Sequence, residues 1–252
     1  MPRPAKKQRS LKGGAPATGG IRGYFGDVRD VRTAFLLTAP ILLLYEVGIV
    51  VFKAQSQNAA DAWIKRGLLS ISPNALIVLN ALLLVGIVAA AFTGKPRKVG
   101  QGVGLFGPLL LESCIWAMAL VPIARVFTPG PLFNVVAIPG GRLEGTLLSL
   151  GAGFYEEFVF RLGLFAGGRW LLKGPIKLDD VTATGIAFVS SSLLFSAYHH
   201  IGPGGEPMDG SVFLFRVVAG AILGALFAAR GFAVAVWTHV FYDVLCVLRV
   251  SA

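Results

Sequence analysis

Long apolar stretches recur along this chain, and they constrain its fold more than any other feature. The first covers residues 34–52 (AFLLTAPILLLYEVGIVVF), with Glu46 as its one charged residue. Similar stretches follow over residues 75–92, 105–127, 146–165, 181–198, 212–229 and 232–250. About 20 apolar residues in helical form cross the roughly 30 Å hydrocarbon core of a bilayer. The sequence therefore predicts about seven spanning helices, or eight.

The composition agrees with a membrane protein. Hydrophobic residues make up 55% of the 252 residues, charged residues only 14%, and the mean hydropathy is +0.71. A soluble domain of this length carries more charge. The alternation typical of a transmembrane barrel strand is absent from the sequence. We therefore expect an all-α fold, a polytopic transmembrane helical bundle.

The N-terminal 33 residues differ from the rest of the chain. They are rich in Lys, Arg, Gly and Pro and have no apolar period, so we predict a flexible basic tail over 1–33 and a transmembrane domain over 34–252. The basic residues of this tail are Arg3, Lys6, Lys7, Arg9, Lys12, Arg22, Arg29 and Arg32. Basic residues concentrate on the cytoplasmic side of membrane proteins.

The charge distribution also bears on partners and location. A net charge of +10 in a soluble protein would suggest nucleic acid, but here its concentration before the first span favours the membrane explanation. We predict an integral protein of a bacterial inner membrane, with a cytoplasmic N-terminus. The expected partners are the lipid bilayer and a peptide or membrane-protein substrate, with no nucleic acid.

Charged residues inside the predicted spans are costly, so each suggests a function or a buried partner. Glu46 and Glu112 are lone acids, and we expect each to bind a donor on a neighbouring helix. The stretch GFYEEFVFR differs because it places Glu156, Glu157 and Arg161 within six residues. On a helix Glu157 and Arg161 share a face and can pair, which leaves Glu156 less fully compensated.

All three histidines fall within or at the ends of predicted spans. His199 closes the stretch FSAYHH, and His239 lies in WTHVFYDV with Asp243 one helical turn later. At that distance Asp243 can accept a bond from the other nitrogen of the His239 ring, or face the same site itself. His200 points away from the face of His199 and is a less favoured candidate.

This set of residues suits the activation of water. Glu156 provides a base, neutral imidazoles can hold a metal or polarise a carbonyl, and a carboxylate can orient them. Glu156, His199 and His239 are the candidate ligands of a Zn²⁺ ion, and a metal-free glutamate mechanism is equally compatible with the same residues. Either mechanism requires the three side chains to meet around one hydrated pocket.

The order of these motifs resembles a known family. Glu156-Glu157-x-x-x-Arg161, Phe195-x-x-x-His199 and His239-x-x-x-Asp243 are similar to the three motifs of the CAAX-protease and bacteriocin-processing (CPBP, or ABI) family of intramembrane proteases, over about residues 145–250. Many members have Asn where this chain has Asp243. The resemblance implies an endopeptidase for membrane-associated or prenylated CAAX-type substrates, often called a metalloprotease, with catalytic residues at Glu156, Glu157, Arg161, His199, His239 and Asp243.

Other functions fit the same polar residues less well. A transporter could use them as a proton or ion path, and a bacteriocin-immunity protein or scaffold could use them to lock its helices. Transport favours an inverted repeat, yet the first three predicted helices carry no counterparts of the motifs. The sequence also lacks HExxH and the Gly-x-Ser-Gly of rhomboid proteases, so other intramembrane proteases are disfavoured.

Overall fold

The computed structural model describes residues 21–52, 59–72, 74, 85, 104–128, 141–201 and 205–250, and all regular structure in these residues is helical. The α-helices are α1 (Ile21–Arg29), α2 (Val31–Val51), α3 (Ala59–Ile71), α4 (Phe106–Phe127), α5 (Gly141–Gly151), α6 (Gly168–Lys173), α7 (Asp180–Tyr198), α8 (Gly210–Arg230) and α9 (Phe232–Val250). Two π-helical segments, π1 (Ala152–Glu156) and π2 (Phe158–Gly167), lie between α5 and α6. The predicted all-α class is confirmed.

Five of these helices are long and apolar enough to cross a membrane: α2, α4, α7, α8 and α9. They coincide with the first, third, fifth, sixth and seventh predicted spans. The second, residues 75–92, lies outside the described residues except for residue 85. The described residues thus support five spans, and the expected seven or eight are not confirmed. Exposed apolar residues such as Leu43 and Val47 on α2 and Ile115 on α4 give these helices lipid-compatible surfaces.

The fourth predicted span is not a regular α-helix. It belongs to a helical stretch running from α5 through π1 and π2 into α6, and only Glu157 separates the two π segments. Wider π turns inside α-helices are rare and frequently mark functional sites. The hydrophobic pattern predicted a helix here, but it carries no signal for the change in hydrogen-bond register.

The predicted flexible tail also needs correction over its last part. Residues 1–20 lie outside the described residues, whereas Ile21–Arg29 forms α1 and α2 begins at Val31. Asp30 caps α2, because its carboxylate accepts a bond from the Thr33 amide at 2.9 Å. Tyr24 on α1 donates to Glu112 on α4 at 2.5 Å, and burial raises the pKa of this tyrosine well above its usual value. These contacts fix α1 to the bundle.

Glycines allow the helices around the glutamates to approach closely. A Cβ atom at Gly153 in π1 would overlap the Val240 side chain and come within 3.1 Å of the Val236 carbonyl oxygen on α9. A Cβ at Gly220 on α8 would lie 3.1 Å from the Phe195 ring on α7. The glutamate-bearing segment is therefore packed directly on α9, and α8 directly on α7.

The largest buried apolar cluster surrounds the first half of the glutamate motif. Tyr45 from α2, Phe154 and Tyr155 from π1, and Val236 and Val240 from α9 all belong to it. Burying such side chains is favourable by about 1.5–3 kcal/mol each relative to an aqueous reference. This packing places the carboxylates next to α9.

Candidate active site

The innermost part of the site is a buried ion pair on one helical stretch. Glu157 Oε2 lies 3.0 Å from Arg161 Nε, and the side chains are 0% and 1% exposed. The pairing predicted from their four-residue spacing is therefore confirmed. The other Glu157 oxygen lies 2.8 Å from His239 Nδ1, and an ionised carboxylate only accepts, so the imidazole donates to it. One glutamate thus joins the arginine to the histidine of α9.

Two further contacts hold Arg161 against neighbouring helices. Its Nη2 donates to the Gly220 carbonyl of α8 at 3.1 Å. Its guanidinium carbon lies 4.6 Å from the centre of the Phe195 ring of α7, a distance at which a cation and an aromatic face attract each other. Arg161 consequently connects π2, α7 and α8, and fixes Glu157 from one side.

Glu156 faces both histidines. Its Oε2 lies 3.7 Å from His199 Nε2 and 3.9 Å from His239 Nε2, and the glutamate side chain is 5% exposed. Both distances exceed direct hydrogen bonding and suit a bridging water molecule. The structure therefore brings Glu156, His199 and His239, which lie far apart in sequence, around one point.

The spacing Phe195-x-x-x-His199 has a structural explanation. His199 Nδ1 lies 2.8 Å from the Phe195 carbonyl oxygen, which accepts only, so Nδ1 carries the proton of that bond. The Phe195 ring also lies 5.2 Å from the His199 ring and 5.8 Å from the His239 ring, between centroids. This fixes His199 with Nε2 towards Glu156. At 21% exposure, His199 is more accessible than the glutamate it faces.

The structure decides between the two alternatives for Asp243. It does not accept a bond from the far nitrogen of His239, because that nitrogen, Nδ1, is bound to Glu157. Asp243 Oδ2 instead lies 3.6 Å from Nε2, the nitrogen that faces Glu156, and its side chain is 26% exposed. The local four-residue spacing places Asp243 near the ring, but only the packing of π1 on α9 decides which nitrogen it meets. Asp243 thus lies at the accessible edge of the site.

The remaining candidate residues lie elsewhere. His200 Nδ1 is 3.1 Å from the Glu206 carbonyl oxygen and takes no part in the cluster around Glu156. Glu46 accepts from the Tyr155 hydroxyl, and Glu112 accepts from Arg230 Nε at 2.6 Å. The expectation that these two lone acids bind donors on other helices is confirmed.

Sequence reasoning missed one ion pair beside the site. Arg216 Nη2 on α8 lies 2.6 Å from Glu206 Oε1. The signal was present, because Arg216 is a charged residue inside the sixth predicted span, where any charge suggests a function. It was overlooked because it belongs to none of the recognised motifs.

The described residues give no geometric support to a metal centre. They contain no group of three or more His, Cys, Asp or Glu side chains arranged to hold a metal ion. Glu156, His199 and His239 have suitable donor types for zinc, but the arrangement of their atoms does not form a ligand set.

Comparison with known proteins agrees with this arrangement. Residues 139–245 match the family described as type II CAAX prenyl endopeptidase Rce1-like. No curated protein and no solved structure matches the chain. The matched range includes both glutamates, both histidines facing Glu156, and Asp243. The region that forms the site is therefore similar to the Rce1-like type II CAAX prenyl endopeptidases, in agreement with the resemblance of the three motifs to the CAAX-protease family.

Proposed function

We propose that this protein is an intramembrane endopeptidase that hydrolyses peptide bonds of membrane-associated or prenylated CAAX-type substrates through a glutamate-activated water. One observation carries the proposal. A single oxygen of Glu156 faces the Nε2 atoms of His199 and His239 at 3.7 and 3.9 Å. The match of residues 139–245 to a family of prenyl endopeptidases supports the same reaction class.

In the proposed first step, Glu156 and His199 position the water. Because His199 Nδ1 donates to the Phe195 carbonyl, the neutral ring has its lone pair on Nε2 and accepts a bond from one water hydrogen. Glu156 accepts the other hydrogen and takes that proton as the water oxygen attacks the peptide carbonyl carbon. The C–O bond forms while the carbonyl π electrons move to the carbonyl oxygen.

In the second step, His239 stabilises the charge that develops on this oxygen. With protons on both nitrogens, the ring donates to Glu157 from Nδ1 and to the oxyanion from Nε2. The tetrahedral intermediate collapses when the C–N bond breaks, and Glu156 returns its proton to the leaving nitrogen. The products are a new carboxyl terminus and a new amine.

Glu157 and Arg161 organise the site in this mechanism. Glu157 holds the His239 ring, and Arg161 holds Glu157 at 3.0 Å away from water. A buried acceptor on the far side of a catalytic imidazole fixes its tautomer and orientation. Both residues therefore act through His239.

Replacing the proposed base tests the reaction. Glu156→Gln preserves the size of the side chain but removes its ability to accept the proton, so we expect cleavage of an S-prenylated CAAX-type peptide to fall by about 10²–10⁴-fold. Purified full-length protein in detergent or nanodiscs is assayed, with thermal unfolding measured in parallel. The matched control is Glu144→Gln on α5, outside the site. Full activity of the Glu156 variant would refute the proposal.

Zinc dependence is decided on the same preparation. The mechanism above assigns no step to a metal, and it predicts cleavage that survives chelator treatment. Elemental analysis that finds stoichiometric zinc, together with chelator-sensitive cleavage, would refute the metal-free mechanism and leave Glu156, His199 and His239 as the candidate ligands.

We also propose that the N-terminus lies in the cytoplasm of a bacterial cell. The eight basic residues before the first span support this orientation. A reporter enzyme that is active only outside the inner membrane, fused ahead of residue 1, is expected to remain inactive. An active fusion would reverse the topology.

A further inference from the structure

Arg216 on α8 lies within reach of the proposed catalytic residues without being one of them. It is four residues before Gly220, whose carbonyl binds Arg161, so the two share one helical face. Arg216 is also connected to the end of α7, because it binds the side chain of Glu206, whose amide donates to the His199 carbonyl at 2.9 Å. The α8 face that supports the buried ion pair therefore also carries a cation on the side of His199.

A carboxylate of the same chain already binds the Arg216 guanidinium. Glu206 Oε1 accepts from Arg216 Nη2 at 2.6 Å. The backbone of Glu206 is fixed at the same time, because its amide donates to the His199 carbonyl at 2.9 Å and its carbonyl lies 3.1 Å from His200 Nδ1. The backbone of Glu206 is thus attached to the end of α7 that carries the proposed catalytic histidine.

This pair differs from the buried pair in two ways. Arg216 and Glu206 are 15% and 28% exposed, whereas Arg161 and Glu157 are 1% and 0% exposed. Arg216 Nη1 is buried and has no hydrogen-bond partner among the described residues. A guanidinium offers five N–H donors and matches a carboxylate through two parallel bonds. Arg216 therefore has unused capacity for a carboxylate and is partly open to solvent.

We propose that Arg216 binds the free α-carboxylate at the C-terminus of the peptide substrate, and that Glu206 occupies the guanidinium when no substrate is bound. This inference rests on the proposed peptidase function and adds to it a group that selects chain ends. When the substrate carboxylate replaces Glu206, the charge next to Arg216 stays balanced, and the displaced carboxylate turns to water. The specificity predicted is for bonds close to a free C-terminus.

The test compares two peptides that differ only at their last group. Both are fluorophore-labelled, S-prenylated CAAX-type peptides, one ending in a free carboxylate and the other in a carboxamide. For the full-length enzyme we expect kcat/KM to favour the carboxylate by at least about tenfold, as for loss of a charge-assisted bond. A ratio near one would overturn the proposal.

Variants then assign the preference to Arg216. In Arg216→Gln the ratio is expected to fall to about one, and in Arg216→Lys to an intermediate value, because the lysine keeps the charge but loses the paired geometry. Arg169→Gln, which removes an arginine from the exposed ion pair with Asp180, is the matched control and keeps the wild-type ratio. Retention of the preference in Arg216→Gln would refute the assignment.

Glu206→Gln separates recognition from a merely structural role. Removal of the competing carboxylate is expected to lower KM for the carboxylate peptide while kcat is unchanged. If the pair only braced the loop, Glu206→Gln and Arg216→Gln would lower cleavage of both peptides by the same factor and leave their ratio intact, against the proposal.

Binding distinguishes failure of this inference from failure of the peptidase function. Fluorescence anisotropy measures the affinity of both peptides for the Glu156→Gln protein, which needs no turnover. If the wild-type protein cleaves neither peptide, the peptidase proposal fails, and tighter binding of the carboxylate peptide still supports carboxylate recognition by Arg216. Equal binding of the two peptides would refute that recognition.

Discussion

Two glutamate–arginine clusters in this molecule, one buried and one partly exposed, share their chemistry. In the site, Glu157 pairs with Arg161 at 3.0 Å, and between α4 and α8, Glu112 pairs with Arg230 at 2.6 Å. In each cluster the arginine also lies against a phenylalanine ring, 4.6 Å from its centre in the first and 3.9 Å in the second. Ion pairing and cation–π contact alone therefore do not distinguish a catalytic cluster from a structural one.

The clusters differ in what the carboxylates face. Both Glu112 oxygens accept from Arg230, and Tyr24 adds a third donor. The second oxygen of Glu157 instead accepts from His239 Nδ1. Oε2 of the adjacent Glu156 lies 3.9 Å from Nε2 of the same ring. These contacts of the Glu112 carboxylate are all direct hydrogen bonds. The site instead contains a further carboxylate, that of Glu156, at distances from two imidazoles that leave room for a water molecule. The presence of Glu156 is therefore what favours a catalytic role for this cluster over a purely structural one.

The largest stability effect is expected from breaking the site's ion pair. Arg161→Ala leaves Glu157 buried without its cation, and such a loss destabilises proteins by about 3–5 kcal/mol. The free energy of unfolding, measured by SDS titration in mixed micelles, gives the effect. In the double variant Glu157→Gln/Arg161→Met much of this stability is expected to return while cleavage stays lost. A cost below about 1 kcal/mol for Arg161→Ala would show that the pair is not desolvated.

A smaller effect is expected from the Glu112 cluster. Its arginine and glutamate are 14% and 17% exposed, so water screens the charge that remains when one partner is removed. Glu112→Gln should cost about 1–3 kcal/mol of unfolding free energy, as for a bond to a charged group. Cleavage per folded molecule should remain within about twofold of wild type. A stable but inactive Glu112→Gln protein would contradict the assignment of a structural role to the Glu112 cluster.

The smallest effect is expected at the edge of the site. Asp243→Asn retains the shape of the side chain, and Glu157 rather than Asp243 holds His239 Nδ1. We expect stability to change by about 0.5 kcal/mol or less, as is usual for isosteric changes at accessible positions, and kcat to fall by less than about tenfold. Peptide cleavage and thermal unfolding provide the measurements. Complete loss of cleavage in a folded variant would show that the negative charge of Asp243 is needed.

Local spacing predicted those parts of the site that lie within one helical turn. The Glu157–Arg161 pair follows from their four-residue separation, and the apolar stretches located five candidate spans to within a few residues. The residues facing the site were also recognisable, because an ionisable side chain is rare inside a span. Helical periodicity accounts for the predicted ion pair, and the cost of burying charge accounts for the recognition of the site residues.

Contacts between distant segments could not be derived in the same way. That Glu157 rather than Asp243 meets His239 Nδ1 depends on the rotation of π1 relative to α9, which no spacing along either segment encodes. The partner of Arg216 could not be derived either, because Glu206 lies in the stretch before α8 and reaches Arg216 only when the chain folds back. The π turns depend on backbone hydrogen bonds, which side-chain polarity does not report.

The direct contact of Gly153 with α9 has a mechanical consequence. Where bulky side chains separate two helices, rotamer changes let the gap expand or shrink. At Gly153 a methyl group would already overlap Val240. The Gly153 backbone is therefore in direct contact with the Val240 side chain, and no gap remains between the glutamate-bearing segment and α9. The two segments therefore cannot approach each other more closely at this point when the helices tilt or slide.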